Sequence, residues 1–492
     1  MPSPAIAPTH ARPHFRTIAL VVGAAVFMEQ MDATILATAL PGMARDLGVS
    51  APSLSIALTS YLISLAVFIP ASGWLADRLG GRTLFRGAIL FFTAASALCA
   101  FAPNVAFLAA ARFLQGMGGA MMIPVGRLLL FRSIEKRDMV NAMSWVLVPA
   151  LLGPIVGPPL GGLIVTFLDW RWIFFLNLPV GLVGALLVNR YFAPMPGEKG
   201  APFDVRGMIL SALSLGTLLF GLESASHVER GAGQVEAAVW LIGFGLVMGW
   251  LYLRHARATE NPILDPRLMR VRSFRISMIA GSLTRITQGA QPFLLPLMMQ
   301  LGFGLSAAQS GFITLATALG SIGMKAVAPK VLRRYGFRDS LVVGGFIACG
   351  GYALCALFRP SWPPALIFAV LMACGFFMSF QFTAYNTVAY DRIPPERLAV
   401  ATSFYTTFQQ LMLSVGICIG AMGLEGAMAW RHHAVPTLPD FSVAFVVVCA
   451  ISLTAYFWNR RFRPTDGVEF SGHTPRTWSL RQALKDMRGL NP

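Results

Sequence analysis

Apolar residues in this chain gather into runs of about 18 to 25, one after another from end to end. A helix of that length crosses a hydrocarbon core of roughly 30 Å. The pattern therefore predicts an all-α polytopic membrane protein of about fourteen spans. They fall at 18–42, 54–76, 84–101, 105–130, 140–166, 171–190, 206–223, 235–253, 274–301, 308–328, 340–358, 364–388, 399–424 and 441–458. The first run continues past Asp32 without a small-residue cleavage pattern, so it reads as a retained span and not as a secretory signal.

Composition agrees with a lipid solvent. Of the 492 residues 55% are hydrophobic and only 12% charged, and the mean hydropathy is +0.64. The net charge of +17 raises the question of nucleic acid, but the positions of the charges answer it. With both termini in the cytoplasm, about 31 of the 39 Lys+Arg fall on the cytoplasmic side, which is the bias that orients membrane proteins. The basic excess is then a topology signal, with contact to anionic lipid as its consequence. The six cysteines lie inside apolar runs with no CxxC pair, which argues against disulfide or metal use.

The turns after the second and tenth spans carry the same Arg-x-Gly-x-Arg spacing, in "ADRLGGR" from Ala76 and "LRRYGFR" from Leu332, separated by 256 positions. Such a weak repeat marks a transporter built from two similar bundles. The expected division is a cytoplasmic tail at 1–17, a six-helix bundle at 18–192 and two inserted helices with their linkers at 193–271. A second six-helix bundle at 272–461 and a tail at 462–492 complete it, the stretch "SLRQALKDM" in that tail being able to lie on the membrane.

Two carboxylates, Glu29 and Asp32, lie deep in the first span, whereas Glu223 is placed at a span end and the other acids in loops or tails. An intramembrane acid costs several kcal/mol and marks a functional path. At 1.5 Å per residue Asp32 lies about 21 Å from the cytoplasmic start of its span, and Arg112 about 10 Å from the opposite start of the fourth, so the two reach similar depth and can pair. An arginine keeps its proton while a carboxylate exchanges its own, so relative movement of the two would change proton affinity. Arg285 sits near the middle of the ninth span with Gln288 and Gln291 at helical spacing, followed by Pro292 and Pro296, which are expected to interrupt that helix. Substrate contact and a buried structural network are both open for this group. Gln381, Asn386, Gln409 and Gln410 are further polar candidates in the second half. In the fifth span Gly153, Gly157 and Gly161 form a close-packing stripe beside Pro154, Pro158 and Pro159, which together read as a packed hinge.

Five segments in order carry a resemblance. They are "GWLADRLGGR" from Gly73, "MDATILATALP" from Met31, "ARFLQGMGG" from Ala111, "GPIVGPPLGG" from Gly153 and "WRWIFFLNLPVG" from Trp170. They resemble the major facilitator superfamily, specifically its fourteen-span drug:proton antiporter branch, and "MMIPVGRL" with "GSIGMK" points to the multidrug-resistance D type within it. The resemblance implies two six-helix bundles, proton coupling through Asp32 and Arg112, and conformational roles for Gly73, Asp77, Arg78, Gly80 and Arg82 in the first loop. It extends such roles to Gln115 and Gly116 of the fourth span and to Gly153, Pro154, Gly157, Pro158, Gly161 and Gly162 of the fifth. Departures from the pattern are Ala37, Gly81 and, in the second-half loop, Arg333 where the first has Asp77; Glu29 lies outside it.

The expected activity is export of a small amphiphilic compound in exchange for protons across a bacterial inner membrane, with no cofactor beyond the proton gradient. Glu29, Arg285, Gln288, Gln291, Gln381, Asn386 and Gln410 are the candidate substrate contacts. Membrane lipid, and by resemblance a periplasmic adaptor with an outer-membrane channel, are the expected partners, and nucleic acid is not. Without GxxxxGK[ST] or HExxH, enzyme readings and direct use of ATP have no support in the sequence. Uptake of a metabolite, and a membrane sensor without transport, are the rivals.

Overall fold

The computed structural model describes residues 15–134, 138–194, 197, 203–226, 232–394, 397–432 and 434–473. The first tail and the "SLRQALKDM" segment lie outside the described residues. Among these residues all regular structure is helical. The first half runs α1 Phe15–Leu47, α2 Ser55–Phe68 with its continuation α3 Ser72–Leu79, α4 Gly81–Ala100, α5 Val105–Ser133, α6 Met139–Phe167, and the joined pair α7 Trp172–Phe175 and α8 Asn177–Tyr191. Then come α9 Val205–Ser226 and α10 Ala232–Ala258. The second half is α11 Arg272–Leu297, α12 Ala307–Cys355, α13 Pro364–Val388, α14 Leu398–Arg431, α15 Leu438–Leu453 and α16 Ala455–Asn459.

Twelve of the described helical stretches are long and apolar enough to cross a membrane. One of them, α12, has 49 residues and breaks at Gly336, where φ is 70° and ψ 173°. Ser321 before the break touches Gly375 and Ser379 of α13. After the break Gly344 lies against Phe380 and Gly351 against Cys374. The two halves of α12 therefore run in opposite directions along α13, as two crossings joined by a turn. With α11, which is less apolar because it carries Arg285 and several polar neighbours, the crossings come to about fourteen.

The glycine of the repeated loop sequence has the same task in both halves. Gly80 and Gly336 both have positive φ, 84° and 70°, a conformation that a side chain resists. Gly336→Ala is expected to cost about 1–3 kcal/mol, since a Cβ there would also come within 2.9 Å of the His473 ring. Thermal unfolding of the purified variant reads this as a lowered melting temperature.

In the first half α1 lies along α6, α2 along α5, and α4 between α5 and α8; in the second α11 lies along α14 and α12 along α13. The halves meet along two seams, α6 with α12 and α2 with α14. The inserted pair packs on itself, and α9 covers the second seam: its Leu215 and Leu219 join Ile63 and Val67 of α2 and are flanked by Leu411 and Val415 of α14.

Prolines do less than the sequence suggests. Helix α6 runs unbroken through Pro149, Pro154, Pro158 and Pro159, and α11 through Pro292 and Pro296. The expected interruption of α11 is displaced to a π-helical turn, Met298–Gly302, directly after it. Each proline removes one donor, and in α11 the irregularity is taken up by the π turn that follows it.

Candidate functional site

Asp32 is held directly by two other helices, and two more hold its donors. The Arg112 Nη1 of α5 donates to its Oδ2 at 2.5 Å, while Gln115 Nε2 of α5 and Asn177 Nδ2 of α8 donate to its Oδ1 at 2.9 and 2.8 Å. Ser96 of α4 accepts from Gln115 at 2.6 Å and from Asn177 at 3.3 Å. Arg112 also donates to the Ala57 carbonyl of α2 at 3.1 Å and to Gln115 Oε1 at 2.5 Å. Its guanidinium lies over the Tyr61 ring, 4.5 Å from the centroid. Asp32 and Arg112 are each 1% exposed, and Ser96, Gln115 and Asn177 are fully buried.

Local sequence explains how five helices meet there. Gly116 and Gly118 let α5 approach α2 and α4, because a Cβ on either would lie within 3.0 Å of Tyr61 or Ala88 backbone. Trp170 and Arg171 donate to Asp46 near the end of α1, at 2.9 and 2.8 Å. That corner fixes the chain just before Asn177. The buried pair is not a stability device in itself, since desolvation of two charges offsets most of their attraction. What it provides is a carboxylate held beside a permanent cation.

Two members of this network, Ser96 and Asn177, were not candidates from the sequence. Asn177 was visible as an amide inside the apolar run of "WRWIFFLNLPVG". Ser96 gave no signal, because a serine that also donates to the carbonyl four residues back, here Phe92 at 3.0 Å, is unremarkable in a membrane helix.

Glu29, one turn before Asp32, is 4% exposed, and its Oε2 has no hydrogen-bond partner. The hydroxyls of Ser60, Tyr61 and Ser64 on the facing α2 are likewise buried without partners. Unsatisfied buried polar groups of this kind cost about 1–3 kcal/mol each.

The acids are distributed differently from the expectation that Glu29 and Asp32 stand alone. Glu223, expected at a span end, is buried in α9 and touches both halves: it accepts from Ser55 Oγ of α2 and from Cys418 Sγ of α14, the latter at 3.2 Å. Glu425, expected just beyond a span, is buried within α14. Both helices extend past the ends of their apolar runs, which is why hydropathy alone misplaced these residues.

In the second half Arg285 is 1% exposed. Its Nη1 donates to Gln288 Oε1 at 3.1 Å, and it lies over the Phe382 ring, 4.7 Å from the centroid. Gln409 lines the same small hollow and donates to Asn386 Oδ1 at 2.7 Å. Gln291 does not join them: it bonds to Thr317 at 3.1 Å and Tyr352 at 2.7 Å inside the bundle. Gln381 lines a separate hollow with Thr284, Ser452 and Asn459, and the half-buried Gln410 has no contact that ties it to Arg285. The expected substrate set thus divides, with Arg285, Gln288 and Asn386 gathered and Gln291, Gln381 and Gln410 apart.

The loop and hinge candidates occupy two ends of the molecule. At the end where α1 begins, Asp77 pairs with Arg132 at 3.1 Å, Arg78 lies over Trp74, and Arg82 donates to the Asn189 carbonyl at 2.7 Å; Gly73 has open space around it. At the far end, Gly153, Gly157 and Gly161 lie on α1 at Gln30, Thr34 and Ile35. Gly162 faces the Ala307 carbonyl of α12, and Gly311 of α12 faces the Pro158 carbonyl in return. Gln300 donates to the Thr38 carbonyl at 3.0 Å and Ala308 N to Thr166 at 3.0 Å. The two halves are closed against each other at this far end.

Comparison with known proteins places this architecture. A family model described as Major Facilitator Superfamily matches residues 22–417. The protein named multidrug resistance protein MdtD of Klebsiella pneumoniae (strain 342) is 36% identical over 450 residues, covering 89% of this chain and 93% of its own. Its namesake from Pectobacterium carotovorum subsp. carotovorum (strain PC1) is 34% identical over 460 residues, covering 92% and 96%. Among solved structures, an auto-inhibited POT family peptide transporter superposes with a TM-score of 0.63 at 17% identity, over 92% of this chain and 98% of that one. The human organic anion transporter MFSD10 does so with 0.60 at 16%, over 91% and 100%. At such identities these two share the fold.

Proposed function

This chain belongs to the major facilitator superfamily and is a small-molecule transporter, not an enzyme, and from that premise we propose that it exports a small amphiphilic compound in exchange for protons. The observation that carries the reading is the Asp32–Arg112 pair. A carboxylate on α1 there accepts from Arg112 and Gln115 of α5 and from Asn177 of α8, so one side chain that can carry a proton joins three helices. Any shift of α5 or α8 relative to α1 withdraws those donors, which is how helix movement and occupancy of this carboxylate by a proton would be linked.

The seams between the halves supply the movement. With the termini in the cytoplasm, as the basic loops favour, the closed far end faces outward and the substrate enters from the cytoplasm. Reopening means parting α6 from α12 at Gly162 and Gly311, a rigid-body rocking of the bundles around a fixed central site. The names of the relatives support export of drug-like compounds over uptake.

Transport in proteoliposomes with an imposed pH gradient, over a panel of amphiphilic compounds, tests the reading. Accumulation that collapses when the pH gradient is dissipated is expected; accumulation indifferent to it would sink the proposal. Glu29 provides a second, smaller effect. With an unpartnered buried oxygen and no hold from Arg112, it meets the solute more plausibly than it sets the coupling. Glu29→Gln is expected to alter relative rates among the compounds by about tenfold, the value of one charge-assisted hydrogen bond, while proton dependence persists. An unchanged compound profile would remove Glu29 from recognition.

A further inference from the structure

The second half holds a buried cation without a counter-ion. Arg285 has no carboxylate partner among the described residues, in contrast to Arg112, and its Nη2 has no hydrogen-bond partner at all. A guanidinium cannot shed its proton to escape burial, and an uncompensated charge at this depth is costly enough to be kept only for a function.

The groups around it share one polarity. Gln288 receives from Arg285 through its carbonyl oxygen, so its Nε2, which is also without a partner, remains as a donor. The hydroxyl of Tyr405 is buried beside Arg285 and Gln409, and it lies over Gly281, one turn before Arg285, where a Cβ would be only 3.0 Å from it. Met278, Ser282 and Gln409 complete a small hollow next to the guanidinium. Phe382 offers an aromatic face and is 46% exposed. Donors and one cation converge here, and no acid does among the described residues.

We propose that this hollow binds the anionic group of the transported compound, so that the substrate is an amphiphilic organic anion whose carboxylate or equivalent group is received by Arg285, Gln288 Nε2 and the Tyr405 hydroxyl. This inference rests on the transport reading above and names its substrate class. A carboxylate has lone pairs for all three donors, and Phe382 would take the adjoining apolar or aromatic portion. A cationic amphiphile would meet like charge from Arg285, so the arrangement selects against that class as well as for its own.

A matched set of probes separates the possibilities: naphthoate, the neutral naphthamide and the cationic naphthylmethylamine share a body and differ in charge. Binding to the purified full chain is measured by calorimetry, and proton-linked exchange in proteoliposomes. The wild type is expected to bind naphthoate at least about tenfold more tightly than either analogue, and Arg285→Gln to remove that preference. Arg285→Lys should keep part of it and Tyr405→Phe should weaken it several-fold, and these variants carry the test if Arg285→Gln does not fold. Preference for the amine, equal affinity for all three, no naphthoate binding, or undiminished naphthoate binding in Arg285→Gln would each overturn the inference. If Arg285-dependent binding is found but no probe exchanges with protons, the transport reading fails and the site stands. If other compounds exchange with protons while naphthoate is not bound, the site fails and the transport reading stands.

Discussion

Replacing Asp32 by Asn is expected to abolish uphill transport, with accumulation falling to the level seen without a gradient, while downhill exchange of substrate persists. Asp32 accepts from three donors on two helices, Arg112, Gln115 and Asn177. Asparagine offers one acceptor oxygen and turns an amide donor toward the remaining donors. It also leaves Arg112 buried without its counter-charge, and breaking one side of such a pair costs about 3–5 kcal/mol. The variant will therefore be less stable as well as uncoupled, and the two effects need separating. Arg112→Gln combined with Asp32→Asn removes both charges, so the double variant should regain part of the stability lost by either single one yet remain unable to use the gradient. Thermal unfolding reads the first property and counterflow against pumping the second. Gradient-driven accumulation in a folded double variant would show that coupling resides elsewhere.

The second large effect concerns closure of the far end. A valine at Gly162 would push against the Ala307 carbonyl of α12, a backbone atom that cannot rotate away. Overpacking of this kind costs about 1–3 kcal/mol. The contact exists only where the halves are closed, so the cost falls on that conformation alone and shifts the conformational equilibrium by about 5- to 150-fold. Gly162→Val should lower turnover accordingly and raise the labelling rate of a cysteine placed at Thr38, whose carbonyl accepts from Gln300 across the closure. Gly87→Val serves as the control, since nothing lies within 4 Å of the added carbon there. Equal labelling in both variants would contradict the assignment of this contact to closure.

Much of this arrangement can be read from the chain before any coordinates, and the reasons are physical. A charged residue in an apolar span is so costly that its presence locates it, and counting 1.5 Å per residue from two opposite span ends was enough to bring Asp32 and Arg112 to one depth. The repeated Arg-x-Gly-x-Arg turn likewise pointed to a backbone need, which Gly80 and Gly336 meet with positive φ. Neutral polar residues gave no such signal. Ser96 and Asn177 complete the hold on Asp32 and are inconspicuous in sequence, because a small hydroxyl or a single amide near a helix end costs little and occurs often. Glu223 and Glu425 were misplaced because helices run past the hydropathy boundary. Prolines overstated the break in α11, which runs helical through both of them and gives way only at the π turn that follows. The polar residues of the second half could not be sorted by spacing either. Arg285 with Gln288, and Gln291 beyond them, share a helix yet face different neighbours, and only their partners distinguish a waiting donor from a satisfied one.

The central claim is that substrate and proton movements are linked through Asp32, and the most direct measurement runs the exchange backward. Proteoliposomes holding a pH-sensitive dye are given a substrate gradient and no pH gradient. The wild type should move protons against the direction of substrate flow, with Asp32→Asn carrying substrate down its gradient without any proton signal. Proton movement of wild-type size in Asp32→Asn, or substrate flow in the wild type without proton movement, would contradict the account.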